Sequence, residues 1–135
     1  MRRALIALCL LLASGCDYNT VTHHYDTLAQ AKADRLFERG WLPDVLPPSA
    51  RNIRLATNID VDTSTGSFEF DPAEAGRLFG QLTPGPAEPS RIRDWPDTKG
   101  RYAARGMTAW SYRKAAQTWT FFCSGRQGRC EFFLW

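Results

Sequence analysis

The sequence predicts an α+β domain: an antiparallel sheet of about five strands with two helices packed on one face. Three observations predict it. Apolar and polar residues alternate over 51–59 and again near the C-terminus, the period of strands with one buried face. Segments 27–40 and 71–82 instead join helix-start residues to apolar spacings of three and four. The resulting order is helix, strand, strand, helix, then about three strands, which suits helices layered over one face of an antiparallel sheet.

Taken in order, residues 17–25, "DYNTVTHHY", are short and polar and are expected to be a tether, leaving 26–135 as a single domain. In "TLAQAKADRLFERG", Thr27 and Gln30 form a capping box, and Ala29, Ala33, Leu36 and Phe37 share one face. Gly40 suits the left-handed position that ends a helix, with Trp41 reaching back to Leu36. Pro43, Pro47 and Pro48 then forbid a regular helix. "RNIRLATNID" alternates, placing Ile53, Leu55, Thr57 and Ile59 on one side; "DVDTSTG" turns the chain, and "SFEF" returns with Phe68 and Phe70 inward. Asp71, Pro72 and Glu74 open the second helix, whose apolar face is Ala75, Leu78, Phe79 and Leu82. Residues 83–99, "TPGPAEPSRIRDWPDTK", have four prolines and no periodicity, and are expected to be the longest loop.

"GMTAWSYR" reads as a strand, and "TWTFFCSGRQGRCEFFLW" as a hairpin turning at Arg126-Gln127. A two-residue turn pairs Cys123 with Cys130, Phe121 with Phe132 and Trp119 with Leu134, all on one face. A slip of one residue destroys that agreement. Cys123 and Cys130 are therefore expected to form a disulfide; as zinc ligands they would need two more ligands that the nearby sequence does not offer.

The N-terminus reads as a secretory signal. Met1-Arg2-Arg3 is positive, and "ALIALCLLL" is apolar and, at about 1.5 Å per residue, too short for a membrane span. Small residues Ala13, Ser14 and Gly15 precede Cys16. The run "LASGC" resembles the lipobox of bacterial lipoproteins, with Ala13 where Leu is usual. That resemblance implies removal of residues 1–15, a diacylglycerol on the Cys16 thiol and an acylated amine, so that 16–25 is the lipidated N-terminus and tether. Ordinary cleavage after "ASG" would leave a plain thiol instead. Asp17 resembles the enterobacterial signal for retention in the inner membrane. A periplasm-facing, membrane-anchored lipoprotein also lives where disulfides persist.

Removing Arg2 and Arg3 leaves 15 basic and 14 acidic side chains, which makes no case for nucleic acid. The charge is unevenly spread: residues 17–88 carry 6 basic and 11 acidic groups, residues 89–135 carry 9 and 3. If the halves stay apart in space, the basic one meets acidic partners or lipid headgroups. Segment 25–53 also resembles a pattern in small bacterial proteins, several of them lipoproteins: Tyr25-Asp26-Thr27, Gly40-Trp41-Leu42-Pro43, Leu46-Pro47-Pro48-Ser49-Ala50 and Ile53. That resemblance brings no activity with it.

No catalytic set assembles from sequence. His23 and His24 are the only histidines and, as neighbours in an extended segment, point to opposite sides, which makes poor metal ligation and a poor base for a nucleophile. Asp60, Asp62 and Ser64 have the alternate spacing of a calcium loop, but Gly66 falls one place late and Asp71 stands where Glu is expected. Asp60 with Asp62, or Glu69 with Asp71, are carboxylate pairs that a glycosidase-like mechanism would need. Arg91, Arg93 and Trp95 in "RIRDWPD" are the best partner-binding candidates, since Arg and Trp are enriched at binding hot spots; Trp95 plugging the core edge is the alternative. The expected protein is a non-catalytic, protein-binding lipoprotein, of inhibitor or immunity type in one version, with no cofactor or metal and an envelope protein and the membrane as partners. A small envelope hydrolase using paired carboxylates is the alternative.

Overall fold

The computed structural model describes residues 19–135. The signal segment 1–15, Cys16 and Asp17 lie outside the described residues.

The expectation of five strands with two helices on one face is corrected on both counts. The domain is dominated by one seven-stranded antiparallel sheet, and helices lie on both of its faces. The strands are β1 (Thr20–Thr27), β2 (Arg51–Asn58), β3 (Thr63–Glu69), β4 (Thr83–Pro84), β5 (Thr108–Lys114), β6 (Gln117–Ser124) and β7 (Arg129–Leu134). Their order across the sheet is β1-β2-β3-β7-β6-β5-β4. One edge is thus the eight-residue β1, and the other is the two-residue β4.

The tether is the first correction at the level of elements. Residues 20–25 are not a tether but most of β1, paired with β2 from Thr20↔Asn58 to Thr27↔Arg51. "TVTHHYDT" is rich in Thr, Val and Tyr, residues that fit a pleated, half-buried surface.

One face carries the core. Ile53, Leu55, Phe68, Trp119, Phe121, Phe132 and Leu134 project from it, and Leu28, Ala31, Leu36, Leu42, Val45, Leu46, Leu78 and Leu82 cover it. The first cover element is α1 (Leu28–Ala33), whose Thr27/Gln30 capping box is present. It is shorter than expected and its inward residues are Leu28 and Ala31; Ala29 and Ala33 are exposed. Asp34 ends it and Arg35 turns left-handed, yet Leu36 still enters the core. Gly40 has φ +73°, and the Trp41 amide donates to the Leu36 carbonyl at 3.0 Å, as expected of that helix-ending turn. Residues 41–50 then cross the sheet as irregular chain, with Leu42, Pro43, Val45, Leu46 and Ala50 buried. The second cover element is a 3₁₀ turn (Pro72–Glu74) running into α2 (Ala75–Phe79); the Asp71 carboxylate accepts from the Ala73 amide at 3.0 Å. Phe79 stacks flat on Trp110 of β5, centroids 4.7 Å apart.

The hairpin β6–β7 has the expected register: Trp119↔Leu134, Phe121↔Phe132, Cys123↔Cys130. Cys123 and Cys130 are disulfide-bonded and buried. β2 ends at Asn58, so Ile59 is not an inward strand residue; it stands on the β2–β3 turn, 57% exposed.

The opposite face is the larger surprise. Residues 95–99, expected in a loop, begin α3 (Trp95–Ala104). Trp95 and Tyr102 pack on Phe122 and Phe133, which alternate along β6 and β7 with the core residues Phe121 and Phe132 and so point the other way. Pro96 sits in the first turn, Asp97 follows it, and Gly106 closes the end at φ +72°. Only the β5–β6–β7 half of this face receives α3.

Candidate partner-binding surface

Among the described residues, the half of the second face left uncovered belongs to β1, β2 and β3. Register places its residues in two rows. One runs Thr22–Ala56–Thr65–Phe133, small in the middle; the other runs His24–Arg54–Ser67–Glu131, polar throughout. Tyr102 of α3 walls one side, Thr22 and His24 the other, and the depression between them has a volume of about 640 Å³.

Asn52 fixes the geometry of the polar row. It lies at a bulge, where the β2–β3 register shifts between Arg51 and Arg54, and it has φ +48°, a conformation that Asn tolerates better than most residues. Its side-chain oxygen bonds His24 Nε2 at 2.9 Å and accepts from Arg54 Nε at 3.4 Å; its amide donates to Glu69 at 3.4 Å. Arg54 has no carboxylate within salt-bridge distance among the described residues, so its guanidinium is available to a partner.

Glu131 is committed. Arg105 and Arg129 each donate to its carboxylate at 3.1 Å. Burial alone would raise its proton affinity, but Tyr102, Arg105 and Arg129 outweigh that and hold it below the usual carboxylate range. Conversely burial, with Glu131 beside it, pushes the Tyr102 hydroxyl up to about 12. The row therefore presents the Arg54 guanidinium and the Ser67 hydroxyl beside a neutralised acid, with the His24 Nε2 hydrogen already given to Asn52. Two strand spacings, about 10 Å, separate His24 from Ser67, beyond the reach of a base activating that hydroxyl.

The sequence-predicted candidates fall elsewhere. Trp95 is 5% exposed, wedged among Phe122, Phe133 and Trp135, and its Nε1 donates to Glu88 at 3.1 Å. It is a packing residue, which removes it from the contact set. Arg91 and Arg93 are exposed beside it. His23 turns to the core face as alternation requires, near Trp41 and the Tyr25 hydroxyl at 3.0 Å, away from His24. Asp60 binds the Asn19 amide on the β2–β3 turn, whereas Glu69 and Asp71 lie at the far end of β3, receiving Asn52 and capping the 3₁₀ turn. Among the described residues no three His, Cys, Asp or Glu side chains gather as a metal site, and no helix is long and apolar enough to cross a membrane. Sequence reasoning misses the rows because it reads 17–25 as a tether; the alternation of Thr22 and His24 against Val21, His23 and Tyr25 is the available signal.

Residues 19–69 match a family model described as the YbbD head domain, and over this stretch the chain is similar to a small bacterial family. The matched stretch holds β1, β2 and β3, the strands of the open half-face. No curated protein and no solved structure matches the chain.

Proposed function

We propose that this is a lipoprotein of the bacterial envelope, anchored through Cys16, that holds another protein non-catalytically on the open half-face of β1–β2–β3. The observation that carries the reading is the polar row His24–Arg54–Ser67, with the Arg54 guanidinium exposed at its centre, laid out beside a small-residue row and walled by Tyr102. Such a surface suits an acceptor-rich protein segment, and Arg is a frequent binding anchor. The similarity to the YbbD head domain supports the bacterial setting. An inhibitor or immunity-type role is one form such binding takes.

A photo-crosslinking amino acid placed at Ser67, with Gln81 on the core-cover side as control, tests the reading in intact cells. A discrete adduct with one envelope protein from position 67 alone is expected. No adduct, or the same set of adducts from both positions, would overturn it.

A further inference from the structure

We infer that the end of the sheet nearest the N-terminus rests on the membrane, with Ile59 and Val61 seated at the bilayer interface. The inference rests on the lipid attachment at Cys16 proposed above.

Among the described residues the exposed large apolar side chains are Val21, Ile59 and Val61, the last two 57% and 56% exposed. They form one neighbourhood. Val21 pairs with Thr57, and the Ile59 amide donates to the Asn19 carbonyl at 3.0 Å. The patch is thus bonded to the point where the described chain starts. Asn19 is three residues from Cys16, and fully extended chain spans at most about 3.6 Å per residue, so an acylated Cys16 keeps Asn19 within about 11 Å of the bilayer surface. The turn bonded to Asn19 has little freedom to leave that surface.

Asp60 and Asp62 alternate with the two apolar residues. Asp60 is bonded by the Asn19 side chain, and both carboxylates hold the contact at headgroup depth rather than in hydrocarbon. Register carries the same end across the sheet, through Thr20↔Asn58, Asn58↔Thr63 and Arg113↔Thr118. Arg113 and Lys114, both exposed, therefore stand at this end; Lys114 is paired with Asp44 at 2.6 Å and Arg113 donates to the Glu88 carbonyl at 3.3 Å, so the contact rests on Ile59 and Val61 rather than on these cations. The strands rise away from the surface, and the turn at Arg126 lies at the other end of β6, about 25 Å distant.

The test uses the full lipidated chain carrying Val61→Cys, or Ile59→Cys as a second variant, coupled to an environment-sensitive fluorophore. Arg126→Cys serves as control, and acylation of each protein is verified by mass. In vesicles of phosphatidylethanolamine and phosphatidylglycerol, the probe at 61 or 59 should shift to the blue and be quenched several-fold more by headgroup-region nitroxide lipids than the probe at 126. Equal, water-like emission at both ends of an acylated chain would overturn the inference and leave the lipoprotein reading standing. So would a tip probe that is shielded only after envelope extract is added, because the patch would then cover itself with protein. A chain that carries no acyl group at Cys16 would overturn both.

Discussion

Gly66 of β3 lies directly beneath the ring of Phe132, its partner on β7. A Cβ built on Gly66 overlaps both that ring and the backbone oxygen of Arg54. The ring is buried among Phe68 and Phe121, and the oxygen belongs to the neighbouring strand, so neither can give way freely. Gly66→Ala should cost about 2–3 kcal/mol, an overpacking penalty, read as a lower urea midpoint with unchanged slope. Phe132→Leu combined with it should recover only part of the loss, because the overlap with Arg54 remains.

Cys123 and Cys130 close a short loop within a core hairpin. The double variant Cys123→Ala/Cys130→Ala should lose about 2–3 kcal/mol on the chain-entropy account. Partner capture through the open half-face, measured well below the new melting temperature, should persist, since neither sulfur approaches that face. Loss of capture from a folded double variant would show that the bond does more than hold the hairpin.

Trp95 and its exposed neighbours should separate cleanly. Trp95→Ala should destabilise by about 3–5 kcal/mol, as expected for truncating a buried Trp. Arg91→Ala and Arg93→Ala should stay within about 0.5 kcal/mol of the parent. A Trp95 variant of parental melting temperature would contradict the packing of α3 described above.

Stability should fall at both extremes of pH. Burial, aided by Asp34, pushes the Tyr25 hydroxyl up to about 12, and burial beside Glu131 does the same for Tyr102. A proton held more tightly in the folded chain adds stability that is complete below the unfolded value, 10.0, and is lost as pH climbs through about 12. Asp44 behaves oppositely: Lys114 first, then Tyr112, hold its carboxyl below the usual aspartate value of 3.8. Its contribution is present above that value and disappears as pH falls below it, and Glu131 adds to the same acid loss. Melting temperature across pH, with tyrosinate absorbance recorded alongside, checks both limbs. Tyrosinate appearing for every tyrosine near pH 10 in still-folded protein would contradict the alkaline limb.

The parts of the fold legible in sequence were those governed by local rules. Thr27 with Gln30, Asp71 with Pro72, Gly40 before Trp41, and the period-two match of 119–125 with 128–134 each encode an element in a few adjacent residues. α3 is illegible because the four prolines of 83–99, Pro96 among them, read as loop chemistry, although Pro suits a first turn, and because its inward residues, Trp95, Thr98 and Tyr102, are too sparse for a strong apolar stripe. β1 was missed for a different reason. A polar strand gains its stability from pairing with β2 and from the few side chains it buries, neither of which its own composition declares. The candidate surface was hidden with it, since both rows exist only once β1, β2, β3 and β7 are in register.

The two margins of the sheet are unequal in a way that sets a limit on assembly. β1 is an eight-residue edge whose alternate residues turn backbone groups outward, apart from the Asp26 and Thr27 amides that donate to Gln30; β4 is two residues, one of them Pro84, which has no amide hydrogen to give. A template with a single adhesive side cannot propagate. Among the described residues β1 is the longer margin, so two copies that pair by their margins are expected to join β1 to β1 across a two-fold axis, an arrangement that closes at two.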